Sequence, residues 1–240
     1  MTPAQGRPLW QTGLALALAV LLMIAFAALG VWQLQRLSWK LDLIAQVEAR
    51  VHAEPESLGA LLARPPEDRA YRRVRVQGQF NHDAETRVQA VTELGGGYWV
   101  LTPLTTPDGQ VLLVNRGFVP TERADPQTRP QGQIAGPVSV TGLARLTEPE
   151  GAFLRSNDPA GNRWYSRDVQ AIAAARGLGP VAPVFLDADA TPLPGGLPVG
   201  GLTVVAFRNT HLIYALTWFT LAGIAAAGIV VLRRDRGRGR

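Results

Sequence analysis

The chain has 240 residues, 47% of them hydrophobic, with 24 basic and 19 acidic side chains and no cysteine. Without cysteine there is no disulfide framework and no thiolate metal site. A pI near 10.4 first suggests a nucleic-acid partner, but the charge is concentrated at the ends. Arg7, Arg233, Arg234, Arg236, Arg238 and Arg240 lie in the two tails against Asp235, and the remaining charges balance. Basic residues beside a long apolar segment are an orientation signal for a membrane protein rather than a nucleic-acid face.

Residues 1–8 read as a short tail and residues 9–35 as a first membrane-spanning helix, because no charge falls between Arg7 and Arg36. A signal peptide is the competing reading, with Ala25-Phe26-Ala27 resembling a cleavage site. The apolar run exceeds the roughly 7–15 residues of a signal core, which favours an uncleaved helix. Trp32, Gln35, Arg36 and Trp39 share one helical face, so the helix is predicted to continue beyond the lipid. Leu41 to Val51 keeps helical spacing through Leu43, Ile44 and Val47.

Residues 36–208 read as a mostly β domain with one or two helices, outside the cytoplasm. Arg64-Pro65-Pro66 is a break. Val74, Val76, Gly78 and Phe80 then alternate with Arg73, Arg75, Gln77 and Gln79, as in a half-exposed strand. Arg87 to Val91 is a shorter strand candidate, and Gly95-Gly96-Gly97 a turn or flexible loop. Tyr98 to Thr105 and Gln110 to Val119 form a predicted hairpin around Pro107-Asp108-Gly109. Val138 to Leu146 is another strand, and Pro149 to Gly161 an irregular loop. Ser166 is the expected cap of a helix over Arg167–Ala175, ended by Gly177 and Gly179. Val184 to Ala188 is a last strand. Asp187 and Asp189 read as turn and surface carboxylates, and Pro192 to Gly201 as an extended arm.

Residues 209–232 read as the second spanning helix, free of charge over about 24 residues. Asn209 or Thr210 can cap its start. His211 follows, and an imidazole in a spanning segment is a functional candidate. It shares a helical face with Tyr214, Ala215, Trp218 and Ala222, which would suit a flat, apolar, metal-centred ligand. The bland alternative is an interfacial anchor with Tyr and Trp in the aromatic belt. Residues 233–240 form the basic tail. Its five arginines predict both termini in the cytoplasm, although Arg36 and Lys40 weakly oppose this.

No G-x-G-x-x-G, P-loop, H-E-x-x-H or G-x-S-x-G pattern occurs, and no spacing links His52 with His82 as metal ligands. No nucleophile–base set is visible, so an enzyme is not expected.

Several blocks carry a family resemblance. They are Gly30-x-Trp32-Gln33-Leu34-x-Arg36-x-x-Trp39-Lys40, Tyr71-Arg72-Arg73-Val74 through Gly78-x-Phe80, and Leu101-Thr102-Pro103. Val114-Asn115-Arg116-Gly117-Phe118-Val119-Pro120 and Trp164-Tyr165 follow. The last is Phe207-Arg208-Asn209-x-His211-Leu212-x-Tyr214-Ala215-x-Thr217-Trp218-Phe219. Together they resemble the Surfeit locus protein 1 family of cytochrome c oxidase assembly factors, over nearly the whole chain. The resemblance implies a two-pass protein of the bacterial inner membrane with an α+β build, two helices bracketing an extracytoplasmic domain. It further implies a role in assembling oxidase subunit I, other assembly factors as possible partners, and haem a as cargo. His211 corresponds to the family's second-helix histidine and is the expected haem-iron ligand. Tyr214 and Trp218 would pack on the macrocycle. Arg36 and Arg208, at the helix mouths, could clamp its two propionates through the planar guanidinium fork. The alternative is a haem-free scaffold for subunit I. Asn115-Arg116-Gly117 is either a contact to subunit I or a hairpin-end turn whose glycine allows an unusual backbone angle.

Overall fold

The computed structural model describes residues 9–149, 151–152, 154–205 and 207–238. The predicted tail 1–8 and the last two residues of the basic tail lie outside them. The chain forms two bodies, residues 9–46 with 207–238 and residues 47–205.

The first body is helical. Helix α1 spans Leu9–His52 without interruption, so the predicted continuation past the apolar segment is observed. Helix α4 spans His211–Arg238 and runs beyond Leu232 into the basic tail. Both are long and apolar enough to cross a membrane. Leu14, Leu18, Leu21 and Ile24 on α1 and Leu212, Ile213, Leu216 and Ile224 on α4 are exposed. A core helix of a water-soluble domain would bury such a face.

The two helices pack through small residues. A Cβ added at Gly30 would lie 2.7 Å from the Phe219 ring, so the glycine lets that ring approach the backbone of α1. Ala215 is buried, and Phe26 stacks on Trp218 with ring centroids 5.7 Å apart. Close approach at small residues is the usual basis of helix pairing in lipid, where apolar burial supplies no driving force.

The second body is built on a seven-stranded sheet. Its strands are β1 (Glu56–Ser57), β2 (Arg73–Phe80), β3 (Thr86–Thr92), β4 (Gly95–Thr105), β5 (Val111–Pro120), β6 (Pro137–Leu146) and β9 (Val184–Ala188). A separate two-stranded sheet pairs β7 (Gly151–Ala152) with β8 (Arg155–Ser156) antiparallel. It lies within the segment expected to be an irregular loop. The order is β1-β2-β6-β9-β5-β4-β3, and a further pairing of β2 with β4 closes β2, β6, β9, β5 and β4 into a ring. The closure sits at Gln79↔Thr105 and Phe80↔Leu104. The β5–β9 and β1–β2 pairs are parallel, and the others antiparallel.

Period-two alternation sorts the strand side chains into two cores. Val74, Val76, Leu104, Leu112, Val114, Val184 and Leu186 form one, together with the short helix α2 (Leu58–Leu62). Leu113 and Phe185 point to the opposite face, where they join Leu101, Trp164, Val169 and Ile172 of helix α3 (Val169–Arg176).

Two local expectations are corrected. Gly95–Gly97 is the start of β4, paired with Thr92, Val91 and Ala90 of β3, and Gly97 also pairs with Pro120 of β5. Asp168 rather than Ser166 caps α3, accepting from the Ala171 N–H at 3.1 Å. Ser166 is buried and accepts a hydrogen bond from Asn157. The helix ends as expected at Gly177, which is left-handed with φ 63°.

Candidate functional site

The start of α4 is fixed by its own sequence. The Thr210 carbonyl accepts the Tyr214 N–H at 3.2 Å, the first i→i−4 bond of the helix. The Asn209 side chain accepts from the His211 N–H at 3.3 Å, satisfying one otherwise orphaned donor. His211 therefore occupies the first turn, as its sequence context predicts.

Its imidazole reaches across to α1, where Nδ1 lies 2.8 Å from the Oε1 atom of Gln33. Gln33 is buried. An amide oxygen only accepts, so Nδ1 carries the ring proton and the lone pair resides on Nε2. Gln33 thus selects the tautomer whose free nitrogen is Nε2 and holds the ring plane. Sequence reasoning quoted Gln33 only as part of a block and gave it no role. The available signal was a neutral amide in an otherwise apolar helix, where polar side chains seek partners across helices.

The other expected residues divide. Tyr214 is 53% exposed and lies one turn from His211, open on its outer side. Trp218 has one ring face occupied by Phe26. Arg36 is exposed and places its guanidinium 4.5 Å from the centre of the Trp39 ring. Arg208 is exposed next to Phe207, whose ring lies 5.2 Å from the Lys40 ammonium. That contact brings the 36–40 turn of α1 and the entry to α4 to the same end of the helix pair.

The Asn115-Arg116-Gly117 segment is a correction. It does not form a surface loop. Asn115 and Arg116 are each only 3% exposed, inside strand β5. The Asn115 amide donates to Asp187 Oδ1 at 2.7 Å, while its oxygen accepts the Gly117 N–H. Gly117 has φ 129°, and a Cβ there would meet the Val199 carbonyl oxygen at 2.1 Å. Only glycine tolerates both constraints. The segment locks the arm around Val199 onto β5 through the paired Phe118–Val199 backbone bonds.

Asp187 is likewise misread as a surface carboxylate. It is 2% exposed and bonded by Asn115, Arg145 and Arg167. Arg167 also donates to Glu148 at 2.5 Å. Burial acts to lower the Arg167 guanidinium, but the Glu148 hydrogen bond and the Asp187 charge outweigh it, and the net shift is upward.

A family model described as the SURF1 family matches residues 20–223, spanning Gln33, the whole β domain and His211. The chain belongs to the SURF1 family. Among its SURF1 relatives, Surfeit locus protein 1 of Homo sapiens is 44% identical over 225 residues, 85% of this chain and 73% of that protein. Its counterpart in Xenopus tropicalis is 39% identical over 224 residues, 85% of this chain and 71% of the relative. A SURF1-like protein of Monosiga brevicollis is 41% identical over 242 residues, 94% and 89% of the two chains.

Proposed function

We propose that this SURF1-family chain is a two-pass membrane assembly factor for cytochrome c oxidase that carries haem a to subunit I. Family membership and the two exposed apolar helices support the membrane and assembly parts. The basic residues after Leu232 favour both ends in the cytoplasm and the β domain outside. The observation that carries the cargo reading is the Gln33–His211 hydrogen bond. It leaves an imidazole Nε2 lone pair uncommitted at the head of a helix lying in lipid.

His211, Tyr214, Arg36 and Arg208 would hold the cargo. The haem iron would take the Nε2 lone pair of His211. Contacts at Gly30, Ala215 and Trp218 close the space between the helices, so a macrocycle held by His211 would have to lie on the exposed side beside Tyr214. Trp218 stacks one ring face on Phe26, and its other face would be the one to pack on the macrocycle. Arg36 and Arg208 present guanidinium forks at the polar end, the group best matched to paired carboxylates.

The experiment is to purify the full chain in detergent after expression in cells that make haem a, then record its absorption spectrum. Wild type is expected to retain the haem. His211→Ala is expected to lose it while still inserting into the membrane. Arg36→Lys with Arg208→Lys should weaken retention, because lysine keeps the charge and loses the fork. A His211→Ala protein with the wild-type spectrum and stoichiometry would rule out His211 as ligand.

The same hydrogen bond favours a second reading, because it also ties α4 to α1. On that reading the chain is a haem-free scaffold that holds a subunit I intermediate. It is then expected to co-purify with subunit I, and His211→Ala should loosen the helix pair with no haem in either protein.

A further inference from the structure

Four arginines of the β domain illustrate how buried guanidinium groups are handled. Arg129 pairs with Glu85 at 2.5 Å, and both side chains are almost fully enclosed. Arg145 and Arg167 converge on Asp187 at 3.0 and 3.1 Å. Arg116, as enclosed as any of them, has no carboxylate within ion-pair distance among the described residues. The groups in direct contact with it are neutral. Nη2 donates to the Gly132 carbonyl, and the group lies 4.9 Å from the centre of the Phe80 ring. His82 Nε2 donates to the Ile134 carbonyl at 3.0 Å, so its Nδ1 lone pair faces Arg116 Nη1 at 3.5 Å. These contacts satisfy some donors without neutralising the charge. Burial accordingly pushes the Arg116 guanidinium down to about 10, a shift that the Glu85 charge opposes and Arg129 reinforces.

Arg116 lines a cavity of about 230 Å³. Its walls are apolar at Phe80, Val114, Val138 and Val140. Val114 belongs to the barrel core, and the other three pack against that core. Asp189 also lines the cavity, but its carboxylate is held by Arg73 at 2.7 Å. The cavity thus combines a cation that lacks a direct carboxylate partner with a wall that is apolar along Phe80, Val114, Val138 and Val140 and polar at Ser139, Thr141 and Thr191.

We propose that this cavity binds a small monocarboxylate with a short apolar chain, its carboxylate on the Arg116 fork and its chain along Phe80, Val138 and Val140. A carboxylate matches the planar fork and supplies the charge that the fold does not. An inorganic dianion is disfavoured, because the walls are apolar and the Asp189 carboxylate is close by. A neutral alcohol of the same length would leave the guanidinium unneutralised.

The test uses the purified full chain in a non-ionic detergent, titrated calorimetrically with hexanoate, hexanol and inorganic phosphate, with thermal unfolding followed in parallel. Hexanoate is expected to bind saturably and raise Tm, and hexanol and phosphate to do neither at the same concentrations. Arg116→Lys should weaken hexanoate by about tenfold or more, because it removes the fork. Thr191→Trp, at an exposed position on the cavity wall, should fill the space and abolish binding while the unliganded Tm stays put. This second variant keeps the test decisive should Arg116→Lys fail to fold. Equal binding of hexanoate and hexanol, no saturable hexanoate binding, or wild-type affinity in Thr191→Trp would each overturn the proposal.

Discussion

His211 and Gln33, 178 residues apart in sequence, meet at 2.8 Å across two apolar helices. The bond both orients the imidazole and joins the helices. Gln33→Leu is expected to leave the chain membrane-inserted but to reduce haem retention by about 10–100-fold, the usual cost of losing the group behind a metal-binding histidine. Gln33→Glu still offers an acceptor to Nδ1–H and should restore much of the retention. A Leu variant with wild-type haem content would show that the ring needs no partner.

The Gly30–Phe219 contact should be sensitive to size. Gly30→Val places a branched side chain where a single Cβ already lies 2.7 Å from the ring. It is expected to destabilise the helix pair by about 1–3 kcal/mol, read as a lower unfolding temperature in detergent. Phe219→Ala in the same chain should recover most of that loss. Additive losses from the two changes would contradict the contact.

Within the β domain, Asp187 holds together β5, β6, β9 and the segment entering α3. Asp187→Ala leaves Arg145 and Arg167 to share the partly exposed Glu148, at 3.8 and 2.5 Å, and leaves the buried Asn115 amide without its acceptor, so it should cost about 3 kcal/mol of stability. Denaturant unfolding of the full chain measures this. A loss below about 1 kcal/mol would mean that water reaches the site and that the network contributes little.

The turn at Asp158 gives a pH-dependent signal. Its carboxylate accepts the Gly161 N–H at 2.9 Å and pairs with Arg163 at 2.5 Å. The Gly161 bond first, and Arg163 second, hold it below the usual value of 3.8. Because the folded value is depressed, the contribution of this group is complete above 3.8 and is lost as pH falls through the lower folded value. The Gly161 amide resonance should therefore titrate with a midpoint below 3.8. A midpoint at or above 3.8 would show the turn to be open in solution.

Much of the architecture was legible because it rests on periodicity. Strand β9 is found at its predicted limits, and the Arg73–Phe80 alternation sorts correctly between core and exterior. The misreadings share a cause. Gly95–Gly97 looks like a turn because glycine is permissive, but neighbouring strands fix its conformation. Asn115, Arg116 and Asp187 look like surface chemistry because polar residues usually are. Their burial depends on partners 72 residues away or on a distant arm, and local spacing carries no trace of those. Gln33 belongs to the same class, since its meaning appears only once His211 stands opposite.

The closed ring of strands also limits how another protein can take hold of this domain. Strand β1 is only two residues long, and the middle of the outer side of β3 is bridged to Trp164, with the Gln89 N–H donating to the Trp164 carbonyl at 2.8 Å. Among the described residues there is little free edge on which an incoming extended segment could align its backbone, as strand-addition complexes require. On the assembly-factor proposal, a partner of this domain would meet side chains and loops over most of its surface rather than a long open strand edge.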